Sequence, residues 1–177
     1  MTGCRGGVNR PGMPDDAQLY DLAARVGQRL LASKRRMVTA ESCTGGWIAK
    51  AMTDVPESSG WFECGYVVYS NTAKMRDLGV SQATLDAHGA VSEATVREMA
   101  AGALRVSGVD VAVAVSGIAG PSGGVPGKPV GTVWFATACR RGDDVVVDAR
   151  HQLFEPPERE AIRRCSVEYA LELVLQL

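Results

Sequence analysis

The sequence predicts an α/β fold, a three-layer α/β/α sandwich whose sheet is mixed but mostly parallel. Three observations carry this expectation. Segments with apolar residues at helical spacing alternate with short extended segments along the chain, the pattern of helices laid over a sheet. One extended segment, 109–115, is almost wholly apolar, as a central strand buried on both faces must be. The last two extended segments, 130–138 and 144–153, are joined by Arg140-Arg141-Gly142-Asp143, a hairpin turn that makes the sheet mixed.

The elements follow in order. Residues 1–14 are rich in Gly, Pro and Arg and lack an apolar run, so they read as a disordered lead-in, not a signal peptide, before a domain at 15–177. Asp15 or Asp16 can cap a first helix, whose buried face is Leu19, Leu22, Val26 and Leu30. A short strand at 37–40 leads into a polar turn and a helix over 44–52, ending near Asp54-Val55-Pro56. Residues 61–70 are extended, centred on Tyr66-Val67-Val68-Tyr69. Asn71-Thr72 can cap a short helix carrying Lys74 and Arg76, and 81–88 reads as another, closed by Gly89. Ser92 suits the N-cap of a helix with Val96, Met99, Ala100 and Ala103 on its apolar face. After the central strand comes a glycine-rich loop, then the hairpin, then a final helix over 157–175. No repeat and no interior linker divides the chain, which predicts one domain.

Composition narrows the function classes. The 177 residues are 46% hydrophobic and 22% charged, values typical of a soluble globular protein. A net charge of −1 lacks the basic excess of a general nucleic-acid binder, although a few placed cations would still suit a small anion. No apolar run approaches a membrane span. The five cysteines are odd in number, form no Cys-x-x-Cys pair and match no zinc spacing. Reduced thiols in a cytoplasmic protein follow, with neither a metal nor a cofactor expected.

The stretch 38–49, Val-Thr-Ala-Glu-Ser-Cys-Thr-Gly-Gly-Trp-Ile-Ala, is the first candidate for chemistry. A serine at a sharp strand-to-helix turn stands clear of the sheet and faces the unpaired amides of the following helix, which suit a developing anion. Ser42 and Thr44 also fit plain helix caps. Cys43 is a rival nucleophile, but neighbours at a turn point in different directions, and a buried inert thiol is the favoured reading. The loop 117–128 is not a Walker A sequence, because Ser122 stands where the first glycine belongs and Pro129 replaces the Ser/Thr. It remains a ligand-binding candidate at the carboxyl end of a buried strand. His88 and His151 are the only histidines, and neither is obviously poised as a base. Lys74 is the alternative base, provided burial or a cationic neighbour lowers its pKa; a solvated helix lysine is the plainer reading.

Taken together, Ala40-Glu41-Ser42-Cys43-Thr44-Gly45-Gly46, Tyr69-Ser70-Asn71 with Lys74, Gly89-Ala90-Val91-Ser92, and Gly117-Ile118-Ala119-Gly120-Pro121 through Lys128-Pro129-Val130-Gly131 resemble the CinA C-terminal domain family. The resemblance runs from about Asp16 to the C-terminus. It implies hydrolysis of the carboxamide of nicotinamide mononucleotide, giving nicotinic acid mononucleotide and ammonia. It makes Ser42 the nucleophile, with Tyr69 and Lys74 as its proton-handling partners. It draws the substrate pocket from Thr44, Gly45, Gly46 and Asn71, from Ser116, Gly117, Ala119, Gly120 and Lys128, and from Arg159. The substrate phosphate is expected at the 117–128 loop and Arg159. Three positions depart from the family pattern: Ser116 is commonly threonine, Pro157-Glu158-Arg159 replaces Gly-Asp-Arg, and Cys64 stands where glycine is usual. Larger members carry an additional N-terminal domain, for which these residues leave no room. A homo-oligomer, a dimer by preference, is expected. A nucleotide-binding module without turnover and an amidase for another small amide are the alternatives.

Overall fold

The computed structural model describes residues 13–155 and 158–177. The expected lead-in lies outside these residues except for Met13 and Pro14, as does the expected helix start at Pro157. The order is α1 (Asp16–Ala32), β1 (Met37–Glu41), α2 (Trp47–Thr53), β2 (Phe62–Val67), α3 (Asn71–Leu78), α4 (Gln82–His88), α5 (Glu93–Ser107), β3 (Val111–Gly117), β4 (Thr132–Arg141), β5 (Asp144–Leu153) and α6 (Arg159–Leu175).

Local chemistry explains most boundaries. Asp15 caps α1 through a capping box with Gln18, while Ser81 and Ser92 cap α4 and α5 by accepting from the third amide of each helix. Two expectations are corrected. The cap of α3 is Ser70, not Asn71-Thr72: its hydroxyl accepts from Ala73 N–H at 3.1 Å, the reach a cap needs. And α2 begins at Trp47 instead of Thr44, because Gly45 and Gly46 take φ values of 63° and 91°, which a right-handed helix excludes. The hairpin closes later than expected, around Gly142-Asp143, with Arg141 paired to Asp144.

The sheet order is β2-β1-β3-β4-β5. β1 pairs in parallel with β2 and β3, whereas β4 is antiparallel to both neighbours, so four strands share one direction and only β4 is reversed. Side-chain alternation sorts the interior into two layers. Val111, Val113 and Val115 of β3 join the core made with α1, α2 and α6. Ala112 and Ala114 join the core made with α3, α4 and α5. Each fully buried valine contributes on the order of 1.5–3 kcal/mol from burial, so β3 anchors both layers. In β1 the same alternation sends Met37 to the α2–α6 side and Val38 and Ala40 to the α3–α5 side.

Cys43, Cys64 and Cys139 are free thiols. Cys165 is disulfide-bonded, which corrects the expectation of reduced thiols throughout; cysteine number and spacing do not determine pairing. Among the described residues, no helix is long and apolar enough to cross a membrane.

Candidate active site

Because β1, β2 and β3 run in parallel and in register, the residues that leave their carboxyl ends meet at one edge of the sheet. Residues 42–46 follow β1, residues 68–70 follow β2, and the glycine-rich loop follows β3. Open α/β sheets bind their ligands at such an edge.

The alternation of β1 continues into the turn and decides what each side chain meets. Glu41 points to the α2 side and is 0% exposed. One carboxylate oxygen accepts from Thr39 Oγ1 at 3.2 Å and from Ala49 N–H at 2.8 Å. The other accepts from Thr44 Oγ1 at 2.7 Å and from Ile48 N–H at 3.0 Å. The carboxylate thus caps α2 from the neighbouring strand, in place of a side chain at the cap itself. This overturns one expectation: those two amides face Glu41 and are not free to face Ser42.

Ser42 points the other way, towards α3, and is 8% exposed. Its N–H donates to Val115 O at 3.0 Å, which ties the turn to β3. Its Oγ lies 3.0 Å from Lys74 Nζ. Lys74 is 1% exposed, and its Nζ also donates to Val68 O at 2.9 Å and Tyr69 O at 3.1 Å. Burial pushes the Lys74 pKa down to about 8, against a small opposing effect from Cys43. Among the described residues no carboxylate bonds to this amine, so no ion pair offsets the cost of burying its cationic form.

Cys43 turns back into the α2–α6 core. Burial pushes its pKa up to about 12, which keeps the thiol protonated and inert. The sequence expectation that Ser42 and Cys43 diverge therefore has a structural basis in the alternation of the strand.

The other expected site residues divide by what they touch. The Tyr69 side chain is 62% exposed; this residue meets Lys74 through its carbonyl, and its phenol bonds to neither Ser42 nor Lys74. The Thr44 hydroxyl is bound to Glu41, and Gly45 and Gly46 supply the left-handed turn. Asn71 is exposed at the start of α3. Ser116 Oγ donates to Ala90 O at 2.8 Å, and Lys128 Nζ donates to His88 O and Val91 O at 2.9 Å each. Ser116 and Lys128 together grip the segment 88–91 against the end of β3. Gly117 packs so closely on β4 that a Cβ would lie 2.7 Å from Val133. Ala119 is buried in the core, and Gly120 O accepts from Arg159 Nη1 at 2.6 Å. Both cations expected at a phosphate are thus bonded to backbone carbonyls. His88 contributes its carbonyl to Lys128, and the His151 ring lies 5.0 Å from that of Trp134, tilted by 47°; neither histidine bonds to Ser42. Among the described residues, no group of three His, Cys, Asp or Glu side chains is arranged to hold a metal ion.

Two residues of the site escaped the sequence reading. One is Glu41, legible only as a carboxylate ending an apolar strand. The other is Arg163 on α6, which donates from Nε to Cys43 O at 3.1 Å and from Nη2 to Thr44 O at 2.7 Å. Its spacing of four from Arg159 puts both arginines on one helix face, and that was its only signal.

Comparison with known proteins adds three findings. The profile of the CinA C-terminal domain matches residues 19–177. A nicotinamide-nucleotide amidohydrolase PncC of Escherichia coli strain K12 is 52% identical over 161 residues, 91% of this chain and 95% of that protein. A PncC of Pseudomonas putida is 51% identical over 156 residues, covering 88% and 94% respectively. Among solved structures, a competence/damage inducible protein CihA from Agrobacterium tumefaciens superposes with a TM-score of 0.84 at 42% identity, over 94% of this chain and 99% of that one.

Proposed function

The chain belongs to the CinA C-terminal domain family, and from that premise we propose that it hydrolyses the carboxamide of nicotinamide mononucleotide through Ser42 and Lys74. The observation that carries the mechanism is the 3.0 Å contact between a buried lysine and a buried serine at the carboxyl edge of the sheet.

The hydrogen count of the amine supports a base. As an ammonium, Lys74 has three protons for three acceptors, Val68 O, Tyr69 O and Ser42 Oγ, and it is a donor to the serine. As a neutral amine it keeps two protons. Carbonyls can only accept, so both protons stay on Val68 and Tyr69, and the lone pair is left facing Ser42. The serine then donates its proton to nitrogen. Ser42 Oγ bonds to the amide carbon while its proton passes to Lys74 Nζ, giving a tetrahedral intermediate. Collapse breaks the C–N bond, and Lys74 gives the proton to the leaving nitrogen, which departs as ammonia. Water next attacks the ester, again losing a proton to Lys74. The C–Oγ bond then breaks, Lys74 returns that proton to Ser42 Oγ, and the acid is released, so that one amide and one water become one acid and one ammonia. Tyr69 contributes to this scheme by its carbonyl.

The Arg159 and Lys128 bonds brace the loops bearing Gly120 and residues 88–91, and the phosphate reading rests on the amides of the glycine-rich loop so held. Ammonia release is the test, with nicotinamide mononucleotide, its riboside and simple amides compared at equal concentration. We expect release from the nucleotide, and none from it by Ser42→Ala, which should still bind it. Equal kcat/KM for riboside and nucleotide would remove the phosphate from the reading. Binding without release by the wild type would leave a nucleotide-binding module.

A further inference from the structure

Arg163 and Arg164 both lie over the ring of Trp47, at 5.1 Å and 4.9 Å from its centre. They use their donors differently. Arg164 bonds to Asp16 at 2.6 Å and Glu160 at 3.0 Å, away from the turn. Arg163 holds two successive peptide carbonyls of the nucleophile turn, those of Cys43 and Thr44. In a planar trans peptide the C=O and N–H point in opposite directions. The carbonyl of Cys43 shares its peptide with the N–H of Thr44. Pulling that carbonyl towards α6 turns the Thr44 N–H away from α6, to the side on which α3 presents Lys74 to Ser42. Elsewhere in the turn, Gly45 N–H closes on Ser42 O at 3.1 Å, Trp47 N–H on Thr44 O at 3.3 Å, and Ile48 and Ala49 bind Glu41. The N–H groups of Cys43, Thr44 and Gly46 have no protein acceptor among the described residues, and of these three it is Thr44 whose peptide Arg163 holds by the carbonyl.

We propose that Arg163 is a positioning residue, which aims the Thr44 N–H at the carbonyl oxygen of the bound amide. This rests on the amidohydrolase reading above. When Ser42 Oγ bonds to the carbonyl carbon, the π pair moves onto oxygen, the serine proton goes to Lys74, and the oxyanion accepts from Thr44 N–H. When the intermediate collapses, the pair returns, the C–N bond breaks, and Lys74 gives its proton to the leaving nitrogen, which departs as ammonia. Arg163 touches no reacting atom. Its effect is to keep one amide fixed in the direction where charge develops.

The test measures kcat and KM for nicotinamide mononucleotide, and the acylation rate with p-nitrophenyl acetate, in three variants. Removing an oxyanion donor typically costs about 10²–10³ in rate. Arg163→Met should lower kcat by about a hundredfold at nearly constant KM, and should slow ester acylation by a similar factor. Arg163→Lys should recover part of the loss, since one ammonium can still hold one carbonyl, and it keeps a cation on Trp47 should the Met variant fold poorly. Arg164→Met removes the same stacking and should leave kcat unchanged. Three results would each overturn the proposal: unchanged kcat in a folded Arg163→Met, a rise confined to KM, or an equal loss in Arg164→Met. A wild type that acylates with the ester but ignores the nucleotide would refute the substrate reading while leaving the Arg163 comparison readable on the ester. Silence of the wild type towards both compounds would overturn the proposal together with the serine mechanism.

Discussion

Glu41 and Lys74 are both charged residue types, both entirely buried, and stand on opposite faces of the same strand end. Their surroundings differ in kind. Glu41 is met by four donors, two of them helix amides, so its charge is compensated and the group acts as a fixed strut. Lys74 is met by two carbonyls and a hydroxyl and, among the described residues, by no opposite charge, so its charge is tolerated only weakly. Burial alone does not make a residue reactive, as the buried and inert Cys43 shows. For a lysine, burial without a counter-charge does, because it disfavours the ammonium and leaves its proton easy to remove.

The largest expected effect separates the two. Lys74→Met should lower kcat by several powers of ten, since the catalytic unit fails as a whole. The cost of burying the cation, shown by the Lys74 pKa pushed down to about 8, is removed with it and works against the loss of its bonds to Val68 O, Tyr69 O and Ser42. Lys74→Met should thus gain stability relative to the wild type as pH falls from 10.5 to about 8. The sign follows from proton counts. Between pH 8 and 10.5 the unfolded chain binds a proton that the folded chain does not, so wild-type stability rises with pH across that window. The stability difference between Lys74→Met and the wild type should therefore favour the variant most below pH 8 and shift towards the wild type up to pH 10.5 in urea melts at several pH values. An active Lys74→Met would erase the contrast.

Next in size, Glu41→Gln should cost about 3 kcal/mol, as the amide turns an NH₂ towards buried donors. Thermal melts would show it, and a variant as stable as the wild type would mean the four donors find other partners. Smaller again is the pH profile. In the acid limb kcat/KM should fall about tenfold per pH unit below a bend near 8, since only the neutral amine can take the serine proton. A flat profile from pH 6 to 9 would exclude Lys74 as the base. Smallest of all, Cys43→Ala should keep most activity and lose about 1 kcal/mol, the cost of removing a small buried group. A folded Cys43→Ala without activity would move the nucleophile one residue.

What the sequence disclosed was mostly local. Asp15, Ser81 and Ser92 announce their helices because a cap needs only its own third amide, and 109–115 announces itself as a buried strand by its apolar run alone. The α2 start is less legible, because Gly45 and Gly46 take positive φ in a turn braced by the Glu41 carboxylate and by Arg163, 120 positions from Cys43. For the same reason Lys128 was legible as a charge in a glycine-rich loop, but its partners at His88 and Val91 were not. Ser42 and Lys74 are candidates from the residues themselves, whereas the catalytic roles given to them and to Tyr69 come from family resemblance. The distinction between a lysine amine and a tyrosine carbonyl at the site needed coordinates.

The absence of a counter-charge around Lys74 also bears on ionic strength. A lysine poised by a neighbouring cation feels a Coulomb field that dissolved ions screen over roughly 8–10 Å at ordinary salt, so its pKa climbs as salt is added. A lysine poised by exclusion from water feels no such field. The bend in the rate profile should then hold its position from low salt to molar potassium chloride, while any grip on the substrate phosphate weakens. Salt would thus loosen the ligand and leave the base untouched.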